Sequence, residues 1–549
     1  MQRRAFLSAV AGGWVASSVL PDRRPVHGRI MGASHSVGHA LRGNDARPAA
    51  LNPADIDAAL PGREIAAPAP FPDRTDVLIV GGGASGLSAA WRLAALGVES
   101  VVCELEPFVG GTSTYGTAGA SAHPWGAHYL AAPNPEARAA LRLLREMGVV
   151  TGWDAAGRPM FDGRHLCHAP EERLFYAGEW WQGLVPVDAL TADEREEMRR
   201  FRSIADEWTT RIGSDGRPAF DIPVRLSSKD PDVLALDRRS FAEWLTANRF
   251  TSPFVRWYVR YAVLDDYGGE PETISAWAGL HYFAARKLKS QELLGSHFLV
   301  WPEGNGRLIR ELCERSQANV YTNALVTSLT EERGSVRATV LNAYTGERRT
   351  IEARAAVLAI PAFVASKITR IGGAPWPKRT ASPWVVANLH TGWPANPDLP
   401  WDSVLFDAKG LGYVHAQHQQ TVVTEQPVVT YYRAYGDADV AGARQSLLAK
   451  PWIALAEEII ADLMPAHPHI RDEVERMDIM VWGHAMPRPE PGFLGSDPFA
   501  GSPLISERIA WAHVDQAGIA LFEEAQDRGV RAAEAVAPLV GKDPGETWL

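Results

Sequence analysis

The hydrophobic pattern between residues 76 and 103 predicts a strand, a helix and a second strand. Residues 77–80 form an apolar run of the length of one buried strand in a parallel sheet. Residues 87–96 carry apolar side chains at helical spacing, and Gly97 follows as a helix stop. Residues 101–103 form a second apolar run. This order is typical of a βαβ unit and predicts an α/β fold.

Three glycines and one acid stand at the ends of these elements. Gly81, Gly83 and Gly86 satisfy G-x-G-x-x-G, and Glu104 lies 23 positions after Gly81. In a dinucleotide site the first glycine allows the tight turn, the second lets the backbone approach a pyrophosphate, and the third lets the helix pack on the strand. The helix N-terminus offers N–H groups to phosphate, and Glu104 can accept hydrogen bonds from ribose hydroxyls. We therefore interpret the segment as a dinucleotide site; an ordinary βαβ unit without a nucleotide is the alternative.

Later segments show three further kinds of pattern. Residues 136–147 have the apolar spacing of an amphipathic helix. Residues 151–297 combine helical charge patterns with several tryptophans and predict a mostly helical insertion, with a capped helix beginning at Ser240. From Trp384 onward, apolar and polar residues alternate in several short segments, which predicts a sheet.

A glycine pair, Gly110 and Gly111, follows Glu104 by six residues. Strand, glycine turn, helix, strand, acid and glycine pair in this order resemble the first motif of the FAD-dependent amine oxidase and phytoene desaturase superfamily. The resemblance covers roughly residues 75–540 and implies a discontinuous Rossmann-like FAD-binding domain with an inserted α+β substrate domain. Thr112 stands where this family usually carries a basic residue, so phosphate neutralisation must come from elsewhere.

The resemblance extends the set of expected FAD contacts beyond the glycine motif. Residues 126–128 resemble the segment beside the isoalloxazine, Val326 the position whose backbone contacts adenine, and Asp515 the acid near the ribityl-pyrophosphate. The backbone around Leu521 and Phe522 would approach flavin O2. The expected cofactor-binding residues are Gly81, Gly83, Ala84, Ser85, Gly86, Glu104, Leu105, Gly110, Gly111, Thr112, Gly126, Ala127, His128, Val326, Asp515, Leu521 and Phe522.

Four residues are catalytic candidates. His128, beside the expected ring, is a candidate general base; a hydrogen-bonded structural histidine is the alternative. Trp482 and His484 lie in the proline-rich stretch 482–495, where the family has one wall of its active site. Tyr432 lies on a predicted strand of the sheet that roofs the cavity, and packing is its alternative role. In amine oxidases a Lys commonly lies on the first of these strands, and residues 386–388 contain none.

The N-terminal 30 residues are predicted to be a twin-arginine signal. Arg3 and Arg4 precede a mildly apolar stretch that is too short for a comfortable membrane span. The signal predicts a folded, FAD-loaded protein that the twin-arginine machinery exports to the periplasm or beyond. Anchoring by an uncleaved signal and a disordered basic N-terminus are the alternatives. Residues 31–72 are rich in Pro, Ala and Gly and predict an extended arm.

A chain of 549 residues is expected to form at least two domains. The predicted FAD-binding domain comprises residues 73–135, 298–365 and 503–545. The predicted substrate domain comprises residues 136–297 and 366–502.

Composition and charge restrict the partners. The apolar content of 46% and the charged content of 22% are those of a soluble globular protein. The net charge of -10 and the lack of a basic patch argue against nucleic acid, and an acidic surface suits a cationic small-molecule substrate. Three cysteines without a C-x-x-C pair argue against a metal site and a disulfide framework.

These observations predict an exported FAD-dependent oxidoreductase that oxidises a small amine or polyamine by hydride transfer to flavin N5, with O2 as reoxidant. One alternative is a phytoene desaturase-like desaturase or isomerase of an apolar substrate. The other is a non-catalytic FAD-binding escort protein. Acidic residues facing the flavin would favour the amine, whereas an apolar tunnel would favour a lipid.

Overall fold

The computed structural model describes residues 26–31, 71–118, 121–290, 297–343, 345–369, 376–393, 399–420, 427–496, 499 and 501–549. Residues 1–25 of the predicted signal and residues 32–70 of the predicted arm lie outside the described residues. In the part of the chain that is described, no helix has the length and apolar character needed to cross a membrane.

The secondary structure within these residues consists of strands and helices interleaved along the chain. The strands are β1 (His27–Ile30), β2 (Arg74–Val80), β3 (Ser100–Cys103), β4 (Tyr115–Ala118), β5 (Ser121–Pro124), β6 (Tyr129–Ala131), β7 (Val150–Trp153), β8 (Pro159–Phe161), β9 (Glu172–Tyr176), β10 (Glu179–Gln182), β11 (Phe298–Val300), β12 (Asn319–Tyr321), β13 (Ala324–Glu332), β14 (Ser335–Asn342), β15 (Arg348–Leu358), β16 (Ala381–Thr391), β17 (Asp402–Leu405), β18 (Gly412–His415), β19 (Val428–Ala434), β20 (Val474–Pro487) and β21 (Ile509–Trp511). The α-helices are α1 (Ala84–Ala95), α2 (Arg138–Glu146), α3 (Ala192–Thr210), α4 (Pro231–Ala235), α5 (Phe241–Ala247), α6 (Pro253–Tyr267), α7 (Ala276–Ala284), α8 (Gly306–Ser316), α9 (Ala362–Ile368), α10 (Val440–Ala449), α11 (Trp452–Leu463), α12 (Ile470–Glu473) and α13 (Phe522–Val536).

A seven-stranded sheet contains the predicted βαβ unit, which is confirmed as β2, α1 and β3. Its order is β12-β3-β2-β15-β14-β13, and β21 pairs with the C-terminal half of β15. The strands β12, β3, β2, β15 and β21 run parallel, while β13, β14 and β15 follow one another as antiparallel neighbours. The order reverses at β2, which has β3 on one side and β15 on the other. The carboxyl ends of such strands are where open α/β sheets bind ligands.

The last helix of the chain packs against the first helix of this sheet. The Ser85 hydroxyl donates a hydrogen bond of 2.7 Å to the Ala525 carbonyl oxygen, so α13 lies across the start of α1. A Cβ on Gly529 would lie 2.1 Å from the Ser85 carbonyl oxygen. The two helix backbones approach so closely because Gly529 has no side chain.

An eight-stranded mixed sheet of order β1-β20-β16-β19-β18-β17-β9-β10 is built from three separate segments of the chain. Because neighbouring side chains on a strand point to opposite faces, Tyr431 and Tyr432 lie on different faces. Tyr431 faces the helical side, where its hydroxyl donates to Asp462 of α11 over 2.7 Å. Tyr432 shares its face with Val386 and Met480, its neighbours across the strands. We call the face that carries Tyr432 the inner face.

Two elements differ from the sequence interpretation. Residues 150–182 form four short strands before the helices begin, and β9 and β10 extend the eight-stranded sheet, so the insertion is less helical than predicted. Residues 482–487 belong to β20 and not to an aperiodic loop, because β20 continues through a register shift against β16. The predicted cap is confirmed: the Ser240 hydroxyl accepts from the Glu243 N–H in a capping box.

The contact between α1 and α13 predicts a strong effect of a single methyl group. Gly529→Ala should destabilise the protein by about 1–3 kcal/mol, the usual cost of overpacking a close-packed site. Thermal unfolding should show a lower melting temperature than the wild type. Gly163→Ala is the control, because a Cβ there meets no atom within 4 Å. Equal melting temperatures for the two variants would contradict the observed helix separation.

Candidate active site

The turn after β2 leaves space where a dinucleotide phosphate is expected. Gly81 has a φ of 103° and its N–H donates to the Cys103 carbonyl oxygen over 2.9 Å. A Cβ on Gly86 would lie 1.9 Å from the Gly81 carbonyl oxygen, whereas a Cβ on Gly83 would meet no atom within 4 Å. Gly81 and Gly86 are therefore required by packing, while Gly83 borders an open space.

The glycine pair closes this space from the other side. The Gly110 N–H donates to the Gly82 carbonyl oxygen over 2.8 Å. Gly111 has a φ of 55°, and the atom nearest to an added Cβ there would be Gly83 Cα at 3.8 Å. Helix α1 begins at Ala84 without a side-chain cap, so its first N–H groups remain available to an anion. The cradle fits a pyrophosphate. A side chain at Gly83 or Gly111 would enter it.

Glu104 faces this cradle and also accepts hydrogen bonds from its backbone. Its Oε2 accepts from the Gly82 N–H over 2.6 Å and its Oε1 accepts from the Glu106 N–H over 2.8 Å. Burial raises the pKa of Glu104, and the N–H groups of Glu106, Gly82 and Leu105 oppose that rise. A carboxylate has about four acceptor positions, and these three N–H groups leave one for a ribose hydroxyl.

The segment expected beside the isoalloxazine runs directly along the glycine pair. The Ala127 N–H donates to the Thr112 carbonyl oxygen over 2.9 Å. A Cβ on Gly126 would lie 2.0 Å from that same oxygen, which explains the glycine. The Ala127 carbonyl oxygen in turn accepts from the Asn305 N–H over 3.0 Å. Residues 110–112 and 126–128 therefore form one continuous wall.

The remaining expected cofactor residues occupy three places. Val326 is buried on β13, which ends the strand order of its sheet and has a register shift at this residue. Leu521 precedes α13 and Phe522 begins it, and no side chain caps this helix N-terminus. The Ser85 side chain is engaged with Ala525, so only its backbone is available to a phosphate.

Asp515 is used within the protein. Its Oδ2 accepts from the Ala362 N–H over 2.8 Å, at the start of α9, and its Oδ1 lies 3.3 Å from His513 Nδ1. Burial by itself would raise the pKa of Asp515, but His513, the Ala362 N–H and Arg379 outweigh burial and lower it. Asp515 thus remains ionised and fixes the loop before α13.

His128 lies in an aromatic environment. Its ring centroid is 4.7 Å from that of Tyr432 and 5.7 Å from that of Trp401. Its Nδ1 is 3.3 Å from the Gly126 carbonyl oxygen. Burial lowers the pKa of His128 to about 4, against the opposing effect of that hydrogen bond. His128 is therefore neutral at pH 7, and its low pKa makes it a weak proton acceptor.

The structure brings Trp482 to the same loop from 357 residues away. Its indole Nε1 donates to the Trp125 carbonyl oxygen over 2.6 Å, and the side chain is half-buried. The His484 ring packs on Phe363 with a centroid separation of 4.6 Å, near the start of α9. His128, Tyr432 and Trp482 therefore lie at the segment of residues 125–128. His484 lies beside α9.

Among residues 386–388, the candidate positions for the Lys that amine oxidases commonly carry, Asn388 is fully buried and engaged at both ends. Its Nδ2 donates to the Pro124 carbonyl oxygen over 2.9 Å, and its Oδ1 accepts from the Thr430 hydroxyl over 2.6 Å. Asn388 therefore fastens the inner face of the sheet to the 124–128 loop.

Sequence reasoning missed an acidic cluster beyond Tyr432. Asp402 accepts from the Tyr432 hydroxyl over 3.0 Å and from the Tyr261 hydroxyl over 3.3 Å. Burial raises the pKa of Asp402 well above its usual value, and the nearby Glu172 and Asp265 carboxylates raise it further.

Two adjacent acids on α6 complete this cluster. Asp266 forms a buried ion pair with Arg286, with an N–O separation of 2.7 Å. The Tyr129 hydroxyl, at the end of the 126–129 loop, lies 3.2 Å from Asp265 Oδ2 and 3.3 Å from Asp266 Oδ1. The available sequence signal was the Asp-Asp pair near the end of a helix whose only other charged residues are Arg256 and Arg260. Across the described ranges, no group of three or more His, Cys, Asp or Glu side chains is arranged to hold a metal ion.

Solved structures with a similar fold include several flavin enzymes. A putrescine oxidase double mutant aligns with a TM-score of 0.62 and 18% identity, over 84% of this chain and 99% of that chain. Cyclohexylamine oxidase from Brevibacterium oxydans aligns with a TM-score of 0.60 and 16% identity, over 85% and 99%. A fatty acid isomerase from P. acnes aligns with a TM-score of 0.58 and 15% identity, over 84% and 98%.

The sequence profile of one protein family matches residues 84–537, which is most of the chain. That family is described as flavin-containing amine oxidoreductase. The glycine cradle, the Glu104 carboxylate and the two uncapped helix N-termini agree with a dinucleotide of this kind. The chain therefore belongs to the flavin-containing amine oxidoreductase family, as an oxidoreductase that uses FAD.

Proposed function

We propose that this protein oxidises a small amine that binds as a cation, and that the acidic cluster around Asp402 and Asp265 recognises the charge. The observation that carries this proposal is the imbalance of charge in that cluster. Arg286 is paired with Asp266, and among the described residues neither Asp265 nor Asp402 takes part in an ion pair. Burying a carboxylate without a counter-charge is costly. A bound ammonium would offset that cost, whereas an apolar chain would not.

The position of the cluster relative to the cofactor cradle supports the same conclusion. Tyr129 follows the 126–128 wall directly and reaches Asp265, while Tyr432 contacts both His128 and Asp402. Half-buried Tyr129, Trp482, Met486 and Leu521 lie against the largest apolar cluster of the protein. We propose that these side chains border the substrate cleft, with flat apolar walls near the cofactor and the carboxylates further in.

Bound FAD supplies the hydride acceptor in this scheme. The carboxylates would hold the charged end of the amine, and the side chains of His128 and Trp482 would orient its carbon chain. Hydride transfer requires the reacting atoms to lie about 3–3.5 Å apart, and an error of about 1 Å can cost 10²-fold. His128 and Trp482 would therefore act by positioning the amine.

The similar structures support the proposal only in part. Two of them are named as oxidases of amines, putrescine oxidase and cyclohexylamine oxidase. The third is named as a fatty acid isomerase, so the fold alone accommodates different substrates. The acidic cluster is what favours an amine here. We further propose O2 as the reoxidant, because two of the similar structures are named as oxidases.

Amines should bleach the flavin of the purified protein under anaerobic conditions. We expect reduction by at least one member of a panel of primary amines and diamines, none by unsaturated fatty acids, and H2O2 formation when O2 is admitted.

Asp402→Asn should raise the amine dissociation constant at least tenfold, in line with about 1.5–3 kcal/mol for a hydrogen bond to a charged group. Asp462→Asn, on the other face of the sheet, is the control. Bleaching by apolar substrates alone would replace the proposal with the desaturase alternative, and no bleaching would favour the escort.

Retention of FAD should depend on Glu104. Glu104→Ala removes the ribose acceptor and two backbone contacts of the cradle, so FAD affinity should fall by about 1.5–3 kcal/mol. The ratio of flavin absorbance to protein absorbance after gel filtration measures the loss. Glu99→Ala, an exposed acid just before β3, should retain FAD like the wild type. Full FAD occupancy of the Glu104 variant would remove this residue from the cofactor site.

We also propose export through the twin-arginine pathway, on the basis of Arg3, Arg4 and the apolar stretch after them. FAD binds to a folded protein, and this pathway carries folded proteins. A variant with both arginines changed to Lys should accumulate inside the cell with FAD bound, while the wild type should be found outside the inner membrane. Identical distribution of both proteins after cell fractionation would contradict the proposal.

A further inference from the structure

The turn between β12 and β13 lies against the Glu104 end of the cofactor site. The Ala324 N–H donates to the Glu104 carbonyl oxygen over 2.7 Å, and the Asn323 N–H donates to the Glu106 carbonyl oxygen over 3.0 Å. From this turn β13 continues to Val326, whose backbone is expected to contact adenine. The turn therefore joins the segment expected at the ribose to the segment expected at the adenine.

The backbone conformation of Asn323 does not by itself require an asparagine. Its φ of 53° lies in the left-handed region, where glycine is the least strained residue and asparagine is also enriched. Both backbone groups of Asn323 are engaged, since its carbonyl oxygen accepts from the Ala343 N–H over 2.7 Å. The turn would accept glycine equally well, so the backbone does not account for the side chain.

The side-chain oxygen of Asn323 is buried without a hydrogen-bond donor. The residue is 6% exposed, and no atom in the part of the chain that the structure describes donates to Oδ1. Buried polar atoms nearly always have a partner, because an unpaired acceptor has lost its hydrogen bonds to water without replacement. A ligand that brings a donor to this turn would supply the missing partner.

Adenine is the part of FAD that offers such a donor at this end of the site. Its exocyclic N6 amino group is a donor, and the N7 atom beside it is an acceptor. The ribose hydroxyls are the other donors nearby, and they are expected at the Glu104 carboxylate. An asparagine amide is chemically suited to adenine: in nucleic acids it accepts from N6 and donates to N7.

We propose that Asn323 binds the adenine of FAD, with Oδ1 accepting a hydrogen bond from the N6 amino group. The contact selects adenine over a purine that lacks this group, because only adenine satisfies the buried oxygen. The inference concerns recognition of the cofactor and is independent of the substrate.

The test compares FAD with an analogue in which purine replaces adenine, so that only the N6 amino group is missing. Full-length protein freed of FAD is titrated with each nucleotide, and the change in flavin fluorescence gives the two dissociation constants. The ratio of the analogue constant to the FAD constant measures the discrimination. Asn323→Gly keeps the left-handed turn and removes the acceptor. Its ratio should be about tenfold smaller than that of the wild type, as expected for one buried hydrogen bond.

Two further variants separate hydrogen bonding from an effect on the turn. Asn323→Asp keeps an acceptor oxygen at the same position and should keep the wild-type ratio. Arg249→Gly changes an exposed residue with a φ of 57° in the helical insertion, and it should also keep the wild-type ratio. Thermal unfolding without nucleotide shows that each variant is folded.

Equal ratios in the wild type and Asn323→Gly would overturn the inference, and Oδ1 would then hold a buried water only. The wild type alone also overturns it if both nucleotides bind with the same affinity. A ratio that falls in Asn323→Asp as far as in Asn323→Gly would assign the effect to the shape of the turn and would likewise overturn it. None of these results bears on the proposed amine oxidation, which flavin bleaching tests separately.

Discussion

The structure depends on backbone segments that approach each other more closely than side chains allow. At the start of α1, Gly86 lies under the Gly81 carbonyl oxygen and Gly529 of α13 lies against the Ser85 carbonyl oxygen. This double contact fixes the direction of both helix N-termini. Because those termini supply unpaired N–H groups, the packing of two helices at glycine positions also creates the anion-binding edge of the cofactor site.

The segment 124–128 connects the two large sheets. The 124–128 segment receives the Trp482 indole at Trp125 and the Asn388 amide at Pro124, both from strands of the eight-stranded sheet. On its other side it is hydrogen-bonded to Thr112, next to the glycine pair. A displacement of this segment would therefore move the cofactor cradle and the inner face of the sheet at once. One short, glycine-containing segment thus contacts residues more than 250 positions away in the chain.

The sequence predicted local features well, and long-range ones poorly. The strand, glycine turn, helix and acid at residues 74–104 follow from spacing and from the needs of a phosphate, and all are in place. Trp482, expected on one wall of the active site, hydrogen-bonds to Trp125 beside the cofactor cradle. The strand character of residues 482–487 does not follow from the sequence, because Pro487, Pro489 and Pro491 hide a pairing that only β16 supplies. The edge strand β1 (His27–Ile30) likewise takes its conformation from β20 and has no pattern of its own.

The acidic cluster escaped sequence reasoning for a related reason. Asp265, Asp266 and Asp402 come from a helix and a strand more than 130 residues apart, and their charges interact only in the folded chain. Glu104 is also a buried acid, yet its oxygens accept backbone N–H groups, which compensate its charge within the protein. Asp265 has a single tyrosine hydroxyl, and its neighbours add negative charge. The two carboxylates therefore differ in their surroundings: backbone N–H donors oppose the rise in the pKa of Glu104, whereas the neighbouring carboxylates add to the rise in the pKa of Asp265. Burial is common to both, and the number of donors around each oxygen accounts for the difference.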